Sequence, residues 1–400
     1  MKRFFVGFLI FLWGMTVRAE PAPEMHIFLE AYATNPALTQ MIVFSTLPKE
    51  TRKLIAWHRF PDRKKVLDLD AYNTREVDLV HGEGYWPDAT NRMLKATLEE
   101  LEKMPTAKLH LHFNMWKMDY VIRPFLKKIP KEQIAMLHLY EDGYGELFKK
   151  ELYLPDKQKI WTDEEITKAI AEDEKWPDLM SLFLYRFYPA TYYFFEYEAL
   201  ADNPEMAPLL AYLKDLHIRS LNFDRLSKAL TAEQKQLIYK LSDFDYSKYT
   251  DLFQGKKTVV FLMGYHFGSK KNESRERNFL KQLRTDDDFS GIHGTDYTWF
   301  YKPHPSLNAG GAISDLKEAF PDMIEITPQI PFELFALSGL RPTYVAGFSS
   351  SAFYPWHKDE ILYMILRGPH DGYRHFLQKV RHLDDKQFLQ LSKLKDSSDQ

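Results

Sequence analysis

The chain has 400 residues, with Lys+Arg 53 against Asp+Glu 56 and a formal net charge of −3 at pH 7. This near balance excludes a broad basic surface for duplex nucleic acid. The absence of cysteine excludes disulfides, thiolate metal sites, a cysteine nucleophile and a lipoprotein anchor. At about 150 residues per domain, the length predicts two to three domains.

The N-terminus carries a targeting signal. Lys2 and Arg3 precede an apolar run from Phe4 to Val17, and Val17-Arg18-Ala19 is typical of a cleavage site. The run is short for a membrane span and has the length of a signal-peptide core. We therefore assign residues 1–24 to a signal or anchor segment outside the fold, either cleaved or retained.

The first half alternates short β-rich runs with helix-period segments. Strands are predicted at residues 25–29, 65–69, 108–114 and 134–140, and helices near 36–38, at 88–103 and at 116–128. Short strands that alternate with helices of 10–15 residues indicate βαβ units and a parallel sheet.

The pattern changes to helix from residue 155 to about 247, with capping boxes at Thr162/Glu165 and Thr231/Gln234. A second β/α series follows, with strands at 258–263, 297–301, 323–326, 344–346 and 361–366. Two β/α halves joined by a helical middle predict an α/β protein with two Rossmann-like domains facing a cleft. Ligands of such sheets bind beyond the carboxyl ends of the strands, so we expect the functional residues there.

Two motifs at the carboxyl ends of predicted strands contain side chains that can act in catalysis. Tyr140-Glu141-Asp142-Gly143 places two carboxylates at a sharp turn, where one can act as a general base, although it is also an ordinary turn sequence. Lys302-Pro303-His304-Pro305 holds an imidazole between two prolines, a pattern expected about once by chance from this composition.

A third motif, Gly347-Phe348-Ser349-Ser350-Ser351, follows the strand at 344–346. Hydroxyl and backbone N–H groups at a strand-to-helix turn can bind an anion, and a plain helix N-cap is the alternative. Asp-x-Asp pairs occur no more often than chance allows, and no Gly-x-Gly-x-x-Gly or Walker loop is present. We predict no metal site and no cofactor.

Together the three motifs, in this order, resemble the bacterial CMP-sialic acid-dependent sialyltransferases of glycosyltransferase family 80. That family carries acid-acid-Gly, then His-Pro, then a Ser-Ser pair. The resemblance extends to Pro331-Phe332-Glu333-Leu334, to Ser338-Gly339-Leu340-Arg341-Pro342, and to residues 108–114 followed by Ile122-Arg123-Pro124. It spans nearly the whole chain after the targeting segment.

The resemblance implies a GT-B architecture with a C-terminal helix that crosses back to the first domain. We expect an N-terminal, acceptor-side domain at residues 25–190, completed by 370–400, and a nucleotide-sugar domain at 191–369. It also implies inverting, metal-independent transfer of sialic acid from CMP-sialic acid to a galactose-terminated glycan, of lipooligosaccharide type. No nucleic acid partner is expected.

The resemblance also implies roles for individual residues. Asp142 is the expected base for the acceptor hydroxyl, with Glu141 as the alternative. His304 would hold the leaving phosphate with Ser350, Ser351 and Lys302. Glu333 would accept hydrogen bonds from ribose or cytosine, and His112 and Arg59 would contact acceptor or sugar.

Two departures from the family concern the sugar. Tyr144 stands where the family has serine, and Gly264-Tyr265-His266-Phe267 lacks the lid tryptophan. A transferase using another CMP-activated acidic sugar therefore remains open, as does a non-catalytic glycan-binding protein. We expect an uncleaved anchor at the cytoplasmic face of the inner membrane, with peripheral membrane contact through the N-terminus. The alternative is a periplasmic protein after signal cleavage.

Overall fold

A computed structural model describes residues 22–31, 33–58, 60, 65–78, 85–142, 160–172, 180–264, 270–304, 312–348, 355–366, 378 and 382–390. Within these ranges, no helix is both long and apolar enough to cross a membrane. Residues 1–21 of the targeting segment, Arg59, Tyr144, Ser350 and Ser351 lie outside the described residues. The predicted end of that segment was wrong, because Glu24 begins the first strand and pairs with Lys108.

The first sheet has seven parallel strands in the order β3-β2-β1-β4-β5-β6-β7. Its strands are β1 Glu24–Glu30, β2 Arg52–Trp57, β3 Thr74–Glu76, β4 Lys108–Asn114, β5 Ile134–Tyr140, β6 Ala190–Phe195 and β7 Ile218–Leu221. The order reverses between β1 and β4, which is the switch point where a doubly wound sheet opens a crevice.

The second sheet repeats this plan with six parallel strands in the order β10-β9-β8-β11-β12-β13. Its strands are β8 Thr258–Leu262, β9 Thr298–Lys302, β10 Ile324–Glu325, β11 Tyr344–Phe348, β12 Ile361–Leu366 and β13 Phe388–Gln390. The switch point here lies between β8 and β11. Two parallel sheets with helices confirm the α/β class and are consistent with two Rossmann-like domains.

The described helices, numbered in chain order, connect these strands. They are α1 Thr34–Thr46, α2 Tyr85–Lys103, α3 Arg123–Lys128, α4 Asp163–Ala171, α5 Tyr197–Ala201, α6 Ala207–Leu213, α7 Phe223–Ala229, α8 Ala232–Ser242, α9 Tyr246–Phe253, α10 Lys270–Thr285, α11 Asp287–Ser290, α12 Ala312–Ala319 and α13 Glu333–Ser338. A π-helical turn, Met118–Ile122, precedes α3. Both predicted capping boxes are present, with Thr162 starting α4 and Thr231 starting α8.

The two halves share one apolar core. Buried side chains of the first sheet, such as Leu111 and Leu139, belong to the same cluster as Phe335 and Leu337 of α13 in the second half. A separate cluster, which includes Phe261 and Trp299, covers another part of the second sheet. Because the shared cluster is continuous, the second half packs directly against the first.

Two predicted elements differ from the structure. Residues 65–69 form no strand, and the second strand lies earlier, at Arg52–Trp57. Lys53 interrupts the apolar pattern of that strand, yet it is buried because its Nζ donates to the carbonyl oxygens of Pro48, Thr51 and Tyr72 at 2.7–3.0 Å. Carbonyl oxygens thus replace the water that a lysine normally requires.

The predicted domain limits also need correction. The segment read as helical throughout contains β6 and β7, which extend the first sheet past residue 190 to Leu221. Near the C-terminus, β13 pairs with β12, so this part of 370–400 completes the second sheet rather than the first domain. Strand β6 belongs to the first sheet because it pairs with β5, in a register that runs from Leu137 opposite Ala190 to Tyr140 opposite Tyr193. The predicted crossing helix lies outside the described residues.

Candidate active site

The acid turn follows β5, close to the switch point of the first sheet. Glu141 is buried, and its Oε2 accepts a hydrogen bond from the backbone N–H of Phe195 at 2.9 Å. Its own N–H donates to the carbonyl oxygen of Tyr193 at 3.2 Å. Glu141 therefore ties the end of β5 to β6. Asp142 is half-buried at the carboxyl edge, where a carboxylate can reach a ligand.

Lys302 and His304 lie at the carboxyl edge of the second sheet. Lys302 ends β9 and is buried, and its Nζ donates to the carbonyl oxygens of Pro303 at 3.1 Å and Pro328 at 2.7 Å. These contacts favour a role in holding the loop rather than the expected direct contact with phosphate. His304 follows two residues later and is half-buried.

Glu333 begins α13 and is buried against the first half of the chain. Burial raises the pKa of its carboxyl group. Hydrogen bonds from its own backbone N–H and from the Asn35 side chain oppose that rise, as does the charge of Lys302. Asn35 lies in α1, directly after β1 of the first sheet. Glu333 therefore lies at the start of a helix that packs in the core shared by the two halves.

His112 does not occupy the position expected of a substrate contact. It is fully buried, with Nε2 lying 2.9 Å from Nδ1 of His26 and Nδ1 lying 2.6 Å from the hydroxyl of Tyr140. Both ring nitrogens are used inside the protein, which disfavours the predicted acceptor or sugar contact for this residue. Arg59 and the Ser350-Ser351 pair stay predictions, because they lie outside the described residues.

Sequence reasoning did not identify Gly347 as a special position. It is the next-to-last residue of β11, beside β8, with φ +117°, and a Cβ atom there would lie 2.2 Å from the carbonyl oxygen of Leu262. Only glycine allows β11 to approach β8 this closely at the switch point. The Gly-Phe-Ser-Ser-Ser sequence contains the signal, since an isolated glycine inside a strand pattern indicates close backbone approach.

Comparison with known proteins gives a family and a fold. The profile of the family described as "Sialyltransferase PMO188" matches residues 25–394. No curated protein matches the sequence. Among solved structures, the chain is similar to an α/β-galactoside α-2,3-sialyltransferase from Photobacterium phosphoreum, with a TM-score of 0.73 and 18% identity over 93% of this chain and 100% of that chain.

Two further structures give the same result. A 2,6-sialyltransferase of Photobacterium sp. JT-ISH-224, solved with CMP and lactose, has a TM-score of 0.74 and 17% identity over 94% of this chain and 80% of that chain. The GT-B domain of a Photobacterium damselae sialyltransferase has a TM-score of 0.72 and 17% identity, with 92% and 99% covered. The chain therefore belongs to the sialyltransferase PMO188 family, within glycosyltransferase family 80, and is a glycosyltransferase with the GT-B fold.

Proposed function

We propose that the protein catalyses inverting, metal-independent transfer of sialic acid from CMP-sialic acid to a galactoside hydroxyl of a glycan. The observation that carries this proposal is the match of residues 25–394 to the sialyltransferase family, on a chain whose two halves share one apolar core. Strands β1 and β5 are parallel, so Asn35 and Asp142 lie beyond the same edge of the first sheet. Helix α13, which begins at the nucleotide-binding candidate Glu333, packs in the core that the two halves share.

The chemistry requires a base on one side and phosphate donors on the other. Asp142 would take the proton of the acceptor hydroxyl as the acceptor oxygen bonds to the anomeric carbon of sialic acid. The bond from that carbon to the CMP phosphate breaks on the opposite face, which inverts the configuration. A positioned base contributes about 10²–10⁴-fold. His304 and the Ser350-Ser351 pair would stabilise the charge that develops on the leaving phosphate.

The nucleotide and acceptor classes rest on the family and on its similar structures. One of these was solved with CMP and lactose, and another is described as acting on α/β-galactosides. These descriptions support a CMP-activated donor and a galactose-terminated acceptor, for which we favour a lipooligosaccharide-type glycan. The buried carboxylate of Glu333 is suited to accept hydrogen bonds from ribose or cytosine.

The test combines nucleotide binding with transfer. CMP should raise the melting temperature more than UMP or GMP does, and CMP-sialic acid should be consumed faster when lactose is added. Activity should survive EDTA. Loss of activity on chelation with recovery in Mg²⁺ or Mn²⁺ would overturn metal independence. A panel of CMP-activated acidic sugars separates sialic acid from a related donor. Absence of CMP binding would overturn the proposal and favour the alternative of a non-catalytic glycan-binding role.

We further propose that the N-terminal segment before β1 holds the protein at the cytoplasmic face of the bacterial inner membrane, where a CMP-activated donor made in the cytoplasm would be available. The support is the basic pair Lys2 and Arg3 before a short apolar run with no cysteine for lipidation. N-terminal sequencing of the native protein tests this. A mature start near Glu20 would place the protein in the periplasm instead.

A further inference from the structure

Four histidines lie in a row on one face of the first sheet. His26 is on β1, His110 and His112 are on β4, and His138 is on β5. The register places His26 opposite His110 and His112 opposite His138. The paired rings stack with centroid distances of 4.3 Å and 4.1 Å. This row takes no part in the proposed transfer reaction.

His26 and His110 each form a hydrogen bond, through Nδ1, with one of the other two histidines. Nδ1 of His26 lies 2.9 Å from Nε2 of His112, and Nδ1 of His110 lies 3.1 Å from Nε2 of His138. Beyond them, Nδ1 of His112 and of His138 contact the hydroxyls of Tyr140 and Tyr193. A histidine that donates its Nδ1–H inward presents a bare Nε2 outward, which is how an outer partner orients a metal-binding imidazole.

The outward nitrogen of His110 faces an acid. Nε2 of His110 lies 3.8 Å from Oε1 of Glu24, at the start of β1, and makes no hydrogen bond within the described residues. One ligand atom each from Glu24, His26 and His110 lies within 4.8 Å of the other two.

We propose that Glu24, His26 and His110 form a binding site for a divalent transition metal of the Zn²⁺ class. Two imidazoles and a carboxylate are ligands that suit Zn²⁺, with water in the fourth position, whereas Mg²⁺ and Ca²⁺ prefer all-oxygen sites. Ligand bonds of about 2.0–2.2 Å require the three atoms to close slightly. The side chain of Glu24 is 60% exposed and can make that movement.

The site is structural rather than catalytic. It lies toward the amino ends of β1 and β4, while Asp142 follows the carboxyl end of β5. Four residues of strand, about 13 Å at 3.3 Å per residue, separate His110 from the end of β4. A metal bound here links the amino end of β1 to that of β4. Its removal leaves the transfer chemistry in place.

Metal binding tests the proposal directly. The full-length protein, purified without a polyhistidine tag and stripped with EDTA, is titrated with Zn²⁺ by calorimetry and with Co²⁺ by visible absorption. We expect one equivalent to bind, with tetrahedral Co²⁺ bands and a higher melting temperature. Glu24→Gln should weaken binding about tenfold or more, since even loss of an outer partner typically weakens a site 10–100-fold. His110→Asn should weaken it further.

The control is His293→Asn, which removes an exposed imidazole beside Asp287 and should bind metal as the unmodified chain does. Glu24→Gln replaces an exposed side chain, so it decides the question even if His110→Asn fails to fold. Absence of stoichiometric binding, or unchanged affinity in Glu24→Gln, would overturn the site. Sialyl transfer by Glu24→Gln is measured on the same samples and should be unchanged, so the metal site and the transferase activity are tested independently.

Discussion

At the scale of single residues, two adjacent acids have opposite surroundings. Glu141 is buried and binds the backbone N–H of Phe195, whereas Asp142 is half-buried at the edge of the sheet. The sequence left the choice of base open between them. Their environments favour Asp142, because a base must exchange its proton with a bound acceptor while Glu141 is committed to the main chain of β6.

Asp142→Asn should lower sialyl transfer by at least about 100-fold, the usual size of a general-base contribution, with CMP binding and melting temperature unchanged. Glu141→Gln should instead lower stability by about 1–2 kcal/mol, because a hydrogen bond to a charged acceptor becomes one to a neutral acceptor. Steady-state transfer assays and urea unfolding measure the two effects. An inactive Glu141→Gln beside an active Asp142→Asn would reverse the assignment.

At the scale of elements, the spacing between β8 and β11 depends on one glycine. Strand β11 leads directly to the predicted phosphate-binding serines, and Gly347 is the residue at which its backbone comes closest to Leu262 of β8. A side chain at this point would push the two strands apart at the switch point of the second sheet. The position of the anion site therefore depends on a backbone contact that no other residue type permits.

Gly347→Ala should lower the free energy of unfolding by more than about 3 kcal/mol and weaken CMP binding, since unfavourable φ adds to a clash with backbone atoms. The matched control is Gly255→Ala. That glycine also has positive φ, 70°, but nothing lies within 4 Å of the added Cβ. Its loss should be about 1 kcal/mol, the strain of a left-handed residue alone. Equal losses in urea unfolding would contradict the close-approach explanation.

At the scale of the whole molecule, an ion pair joins the two halves beside their shared core. Arg341, which follows α13, donates to Asp224 of α7 at 2.8 Å and also pairs with Glu360. Helix α7 follows the last strand of the first sheet, and it packs against α13. Partial burial of Arg341 reduces solvent screening, so this contact contributes more than an exposed pair does.

Asp224→Asn should lower the free energy of unfolding by about 1 kcal/mol, because a charge-assisted contact of half-buried Arg341 is weakened. Arg225→Gln on the same helix breaks an exposed pair with Glu198 and should change stability by less than about 0.5 kcal/mol. Urea unfolding followed by circular dichroism and by tryptophan fluorescence measures both. Indistinguishable effects would show that the contact between the halves adds no stability.

Local sequence patterns alone determined several of the strands and helix starts of this protein. Strands β4 and β5 and both capping boxes follow from periodicities and residue types within one segment, so their limits were predicted correctly. The ordered motifs also identified the family. Such signals involve residues that are neighbours in the chain, and their physical causes are local.

Only the tertiary structure decided the remaining features, because they depend on which distant strands become neighbours. The lysine in β2 is buried because the turn before the strand and the more distant Tyr72 both direct carbonyl oxygens at its Nζ, a geometry that residue type alone does not show, so that strand escaped prediction. His26 and His110 are 84 positions apart and meet only because β1 pairs with β4. The same long-range pairing buries His112 and engages Glu141 with β6, which leaves Asp142 as the acid at the edge of the sheet.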